Sequence, residues 1–294
     1  MKFSDKQYKY WIWFSRIEKL SSRKKEMLLI QYNLPEKIYN LDKFELTHIE
    51  FLNYEEVEDV LNNKYRENLE EYSKYMKKNN IQLITMFENE YPERLKNIYD
   101  KPVLLYAVGN TELLKRNSVA IVGSRNCSEY GKSISRKIAY DLAKQNICVI
   151  SGLAKGIDKY SHIGALDATG KTIAVIGSGL DNIYPYENKN LYERIIKNDG
   201  LIVTEYVIGT KPCKINFPAR NRIISGLSDA IVVVEAGLRS GALITADFGL
   251  EQGKEIFAIP GNINSLNSQG TNELIKQGAV LVTKSEDITD VLRI

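Results

Sequence analysis

The chain has 294 residues, with 40 Lys and Arg against 37 Asp and Glu. That length holds one large domain or two modest ones, and the near-balanced charge excludes a blanket polycation, so any anion-binding surface must arise from local segregation of charge. Three scattered cysteines (Cys127, Cys148, Cys213) with no C-x-x-C, and only two histidines (His48, His162), argue against a disulfide framework or a zinc site and fit a reducing, cytoplasmic setting; no apolar run reaches the roughly 18 residues of a transmembrane helix.

Residues 1–80 read as charged helices. Tyr65, Leu69, Tyr72 and Met76 recur at helical spacing and mark one amphipathic stripe. Pro35 starts or breaks an element at Leu34. Glycine is absent before Gly109, which leaves this region few of the permissive turns that grip phosphate. It is taken as a small helical domain whose lysines form a solvated face. From Ile81 the texture changes. IQLIT reads as a short strand, and YPERLKNIYDKPVLLYAVGN passes through two prolines into an apolar run. Residues 81–294 are therefore taken as a second domain.

Beyond Asn117 short apolar runs follow one another: SVAIVG, ICVIS, TIAVIG, LIVTE, AIVVVEA, EIFAIP and AVLVT. Most are continuous rather than alternating, which is how strands buried on both faces read. Helical stretches separate many of them, the clearest with Tyr130, Ile134, Ile138 and Leu142 at four-residue intervals. This alternation predicts an α/β fold, an extended Rossmann-like doubly wound and mostly parallel sheet. The apolar face around Leu243, Phe248 and Leu250 is either core or interface, and is expected in the core.

In such sheets ligands bind beyond the carboxyl ends of the strands. The residues there are Gly123-Ser124-Arg125-Asn126, Ser151-Gly152-Leu153-Ala154-Lys155-Gly156, Gly177-Ser178-Gly179 and Ala236-Gly237-Leu238-Arg239-Ser240-Gly241. All are rich in Gly and Ser, and backbone N–H groups at such turns can cradle phosphate. A basic segment, KPCKINFPARNRIISG, joins them. It carries Lys211, Lys214, Arg220 and Arg222 around Phe217, and no Asp or Glu lies between Glu205 and Asp229. Cations suit phosphate oxygens, and an aromatic face suits a stacked base.

Familiar nucleotide signatures fail. Gly123 is followed by SRNCSEY before Gly131, so the G-x-G-x-x-G spacing is absent, as is G-x-x-x-x-G-K-[ST]. Asp158 and His162 fall four apart on one helix, but without G-x-S-x-G they read as a hydrogen-bonded packing pair rather than catalytic partners.

Taken together, IVGSRNCSEYG, SGLAKGIDKYSHIGAL, GKTIAVIGSGLDNIYP, FPARNRIISGLSDAIVVVEAGLRSGALITA and FAIPGNINSLNSQGTNELIKQGA resemble the DNA-processing protein A family (DprA, also called Smf) from about residue 90 to residue 290. The resemblance implies a Rossmann-like domain that binds single-stranded DNA without a cofactor and without catalysis. It further implies protection of incoming strands during natural transformation, loading of the RecA recombinase, and a homodimer. Carried onto this chain, the DNA-contacting positions are Ser124, Arg125, Ser151, Gly152, Lys155, Lys214, Phe217, Asn221, Arg222 and Ser240. Ser161, Lys101 and Lys254 depart from the family's usual alanine, proline and arginine. Many relatives continue into a winged-helix-like domain, which is expected to be absent from a chain ending at Ile294. The alternative function is hydrolysis of a nucleoside monophosphate, with Glu235 as its carboxylate, although the P-G-G-x-G-T loop of the phosphoribohydrolases is missing.

Overall fold

A computed structural model describes residues 5–64 and 69–293. Among them, the N-terminal part forms helices α1 (Asp5–Ser15), α2 (Ser22–Tyr32), α3 (Pro35–Asn40), α4 (Lys43–Thr47), α5 (Tyr54–Asn63) and α6 (Leu69–Lys78). Local chemistry sets their starts. Pro35 opens α3 after an extended Leu34. Asp42 with Glu45, and Asn53 with Glu56, form reciprocal capping boxes on α4 and α5. Of the amphipathic stripe expected on α6, Met76 is buried and Tyr72 partly buried; Tyr65 and the Leu69 side chain lie outside the described residues.

The remainder alternates strand and helix. Its elements are β1 (Gln82–Thr85), α7 (Glu93–Lys96), β2 (Leu104–Gly109), β3 (Ser118–Val122), α8 (Glu129–Lys144), β4 (Cys148–Ser151), α9 (Ile157–Asp167) and β5 (Thr172–Val175). They continue with α10 (Lys189–Lys197), β6 (Leu201–Thr204), α11 (Asn216–Leu227), β7 (Ala230–Val233), α12 (Gly241–Glu251), β8 (Glu255–Ala258), α13 (Gln269–Lys276), β9 (Val280–Leu281) and α14 (Glu286–Leu292). The strands form one sheet in the order β1-β2-β6-β5-β4-β3-β7-β8-β9. From β6 to β9 all neighbours are parallel, and β2 and β1 add an antiparallel edge.

Every apolar run singled out in the sequence contributes a strand to this sheet; the central ones, β3 to β7, are buried throughout, because a strand covered on both faces has no solvent side to mark with polar residues, whereas β1 and β9 at the edges are partly exposed. In β3, Val119 and Ile121 pack with α8 and α9, while Ala120 and Val122 pack with α11 and α12. Two helical faces differ from expectation. On α8 the buried stripe is Gly131, Ser135, Ile138, Ala139 and Leu142, and Tyr130 is 47% exposed. Tyr130 is displaced because Gly131, not Tyr130, meets the Glu235 carboxylate at that end of the sheet. On α12, Leu250 is 59% exposed, since Gly249 lets the helix settle directly onto Ile231 and Ile256.

The helical part docks on the β2–β6 side of the sheet. Trp11, Trp13 and Phe14 share one apolar cluster with Leu104, Tyr106, Ile176 and Ile202. Ser15 and Tyr106 hydroxyls meet at 2.7 Å, and Lys101, one of the departures from the family pattern, reaches Glu26 at 2.7 Å.

Asp158 and His162 are not paired with each other. Asp158 turns to the N–H groups of Gly152 and Ala154, whereas His162 Nδ1 lies 2.7 Å from Thr172 Oγ1. Thr172 donates its own proton to Val149 O, so Nδ1 carries the hydrogen and Nε2 is a buried atom without a partner. Burial pushes the His162 imidazole down to about 3. The folded value lies below the unfolded one, so this contribution is complete above about pH 6.5 and is lost as pH falls towards 3. Replacing His162 by Gln is therefore expected to remove part of the acid sensitivity of unfolding between those limits, read as a flatter plot of urea midpoint against pH. Parallel wild-type and variant plots would refute this.

Candidate nucleic-acid interface

The strand order reverses between β3 and β7, and the residues just past these two strands face each other. Ser124 N donates to Glu235 O at 2.7 Å, and Ile157 N donates to Ser124 O at 3.2 Å. The turn after β3 is thus pinned between the end of β7 and the start of α9. It carries Arg125 out to the rim, exposed.

In a nucleotide-binding sheet the helix N-termini at this crevice would receive phosphate. Here the protein supplies its own anions. Glu235 is 2% exposed and accepts from Ser128 N at 2.8 Å and from the Ser128 hydroxyl, directly at the N-terminus of α8. Ser128 Oγ in turn caps Gly131 N. A Cβ on Gly131 would overlap the carboxylate, so glycine is required there. Asp158, in the first turn of α9, accepts instead from the N–H groups of Gly152 and Ala154 in the preceding loop; burial raises its pKa and Arg220 opposes the rise. The failed glycine fingerprint therefore has a physical counterpart in a crevice already filled with carboxylate.

What remains open is the rim. The Arg125 guanidinium lies 5.2 Å from the centre of the Phe217 ring. Phe217 sits in the first turn of α11, over Gly177, where a Cβ would press on its edge at 3.1 Å. Asn216 Nδ2 ties that turn to Gly177 O at 3.2 Å. Tyr184, 44% exposed, flanks Phe217 with ring centres 5.4 Å apart. Lys214 is exposed and makes no ion pair among the described residues. Asn221, one turn beyond Phe217 on the same face of α11, donates to Gly241 O at 3.2 Å, beside the half-buried Ser240 that caps α12. Lys155 is exposed and pairs with Glu187 at 2.6 Å.

Three of the sequence-derived positions lie elsewhere. Ser151 is fully buried and donates to Ile121 O at 2.7 Å. Gly152 is buried under Arg220, whose guanidinium donates to the carbonyls of Gly152 and Val175. Burial lowers Arg220 to about 10, still charged at neutral pH. Arg222 is 4% exposed. It meets Glu205 through two bonds, at 2.8 and 2.6 Å, and Asp100 at 2.9 Å, and donates to Ser22 Oγ of α2. Burial works against its charge, but Glu205 and Asp100 more than compensate and raise its pKa. The helical register explains the division. Phe217, Arg220 and Asn221 share one side of α11, and Arg222, two residues past Arg220, points away from it. Sequence reasoning missed Tyr184, whose signal was the aromatic pair in IYPYEN directly after the Gly177–Gly179 turn.

Comparison with known proteins fits this architecture. The family model described as DNA recombination-mediator protein A matches residues 82–293. The chain is 48% identical over 204 residues to the DNA processing protein DprA of Streptococcus pneumoniae and 42% identical over 228 residues to Protein Smf of Escherichia coli. These alignments take in 69% and 78% of this chain, and 72% and 61% of those relatives. The X-ray structure of DprA from Streptococcus pneumoniae superposes with a TM-score of 0.83 at 38% identity, covering 99% of this chain and 98% of that one. A DNA processing protein A from Helicobacter pylori, solved to describe its single-stranded DNA binding mode, matches with a TM-score of 0.65 at 34% identity over 72% of this chain and 96% of that one. With the family model, the sequence identities and the whole-chain superposition in agreement, the chain belongs to the DNA recombination-mediator protein A family.

Proposed function

We propose that this protein binds single-stranded DNA along the carboxyl rim of its sheet, protects the strand, and loads the RecA recombinase onto it during natural transformation or recombination. The observation that carries the reading is the pairing of Arg125 with Phe217. An arginine without a carboxylate partner among the described residues lies over an aromatic ring, on a rim where the start of α8 already carries the Glu235 carboxylate. Arg125, Lys214 and Lys155 neutralise phosphates, and Phe217 stacks on a base. Ser124, Asn221 and Ser240 hydrogen-bond the backbone. Ser151 and Gly152 lie beneath these residues, and Arg222 ties the far side of α11 to Asp100, Glu205 and Ser22. The Helicobacter pylori relative, described by its single-stranded DNA binding mode, supports the same assignment. The protein acts as a homodimer in the cytoplasm without a cofactor or catalytic step. Nucleotide hydrolysis has less support, because Glu235 is committed to Ser128.

The test is fluorescence anisotropy with a labelled single strand across salt concentrations, with the matching duplex as competitor. The expected result is tight binding to the single strand that weakens with salt, by about 0.7 log units per tenfold salt for each neutralised phosphate, and poor competition by duplex. Absence of binding at low salt would sink the reading. Recombinase loading is read separately, as faster RecA filament formation on strands precoated with single-strand binding protein, and the dimer by sedimentation.

A further inference from the structure

Beside the Arg125–Phe217 pair, a hollow of about 300 Å³ opens between the Arg125 loop and the first turns of α8 and α9. Its walls carry Arg125, Lys132, Lys155 and Lys159, together with Tyr160. One carboxylate lines it, Glu187, and that group pairs with Lys155. Lys132 is balanced by Glu129 at 2.5 Å and lies 5.8 Å from the Tyr160 ring centre. Asp158, next in sequence to Lys159, turns inward onto backbone N–H groups. Arg125 and Lys159 therefore bring two positive charges that no carboxylate in the hollow offsets.

The geometry is fixed. Gly156 has φ +73°, and a Cβ there would overlap the carbonyls of Ser124 and Arg125, so the start of α9 packs against the Arg125 loop as only glycine allows. The Ile157 N–H to Ser124 O bond locks the contact. Lys159, two residues on, is held at a set backbone offset from the Arg125 loop, and both residues line the hollow.

We infer that this hollow takes the phosphodiester backbone of the same DNA strand as it leaves the Phe217 platform, with Lys159 as the contact that extends the site. The inference rests on the single-strand reading above. Sharing Arg125 makes the hollow continuous with the platform. Its uncompensated charge suits phosphodiester groups in series.

The experiment compares a labelled tetrathymidylate, short enough for the platform alone, with a dodecathymidylate at low salt. Lys159→Glu is expected to weaken the dodecamer about tenfold while leaving the tetramer within about twofold, and Lys159→Ala to make the dodecamer's salt slope shallower by about 0.7. Glutamate in the first turn of a helix is favourable, so Lys159→Glu keeps its fold, which a thermal melt checks. Equal weakening of both oligonucleotides, or of neither, overturns the inference. Arg125→Ala separates the two levels. If it leaves the tetramer untouched, the single-strand reading fails. If it weakens the tetramer while Lys159→Glu spares the dodecamer, only the hollow is refuted.

Discussion

Arg222→Ala is expected to destabilise the protein by about 3–5 kcal/mol, because it leaves Glu205 partly buried beside Asp100 with no cation between them. Thermal or urea unfolding measures this. Arg222→Lys should recover little, since one ammonium cannot match the paired bonds to Glu205 and the contacts to Asp100 and Ser22. Removing Glu205 as well should recover part of the loss, as expected for coupled neighbours. A variant that melts with the wild type would show that the cluster contributes nothing. Any fall in DNA affinity measured while the variant remains folded would place Arg222 back among the DNA contacts.

Phe217→Ala is expected to weaken single-strand binding by about 1–3 kcal/mol, roughly 5- to 150-fold, with the salt slope unchanged. A stacked base contributes no counterion release, so its loss shifts the affinity without altering the slope. Arg125→Ala should do the complementary thing and lower the slope by about 0.7 while costing affinity at low salt. The two residues touch, so their effects should not add. If Phe217→Ala flattened the slope instead, the ring would be holding Arg125 in place rather than meeting a base.

The sheet was legible in the sequence because its central strands are covered on both faces and therefore read as unbroken apolar runs between glycine-rich turns. Arg125 could be singled out as a cation directly after a strand and Phe217 as the aromatic ring of a basic segment, and the structure brings the two side chains together. The basic segment around Phe217 was less legible. Its four cations look equivalent in the sequence, yet Lys211 and Lys214 are exposed while Arg220 and Arg222 are buried. That division depends on the rotation of α11 and on partners remote in sequence, Asp100, Gly152 and Val175. Glu205 was visible as the last acid before the basic stretch, but nothing local indicated that it pairs with Arg222. Glu235 was noticed as a lone carboxylate at a strand end. Its contact with Ser128 joins residues more than 100 positions apart, a distance at which composition and spacing carry no signal.

The carboxylate seated on the α8 terminus bears on competition inside a cell. Free nucleotides are abundant, and each ends in a phosphate dianion that an unoccupied helix terminus would bind well. Glu235 removes that attraction at the start of α8, and Asp158 occupies the N–H groups of Gly152 and Ala154 in the loop before α9. The cations that remain are spread along an open rim, where a monomer engages one and a polymer engages several through a single tether. If the rim binds a strand as proposed, such a site would discriminate by chain length and ignore the monomer pool, without any contact that inspects the end of a strand.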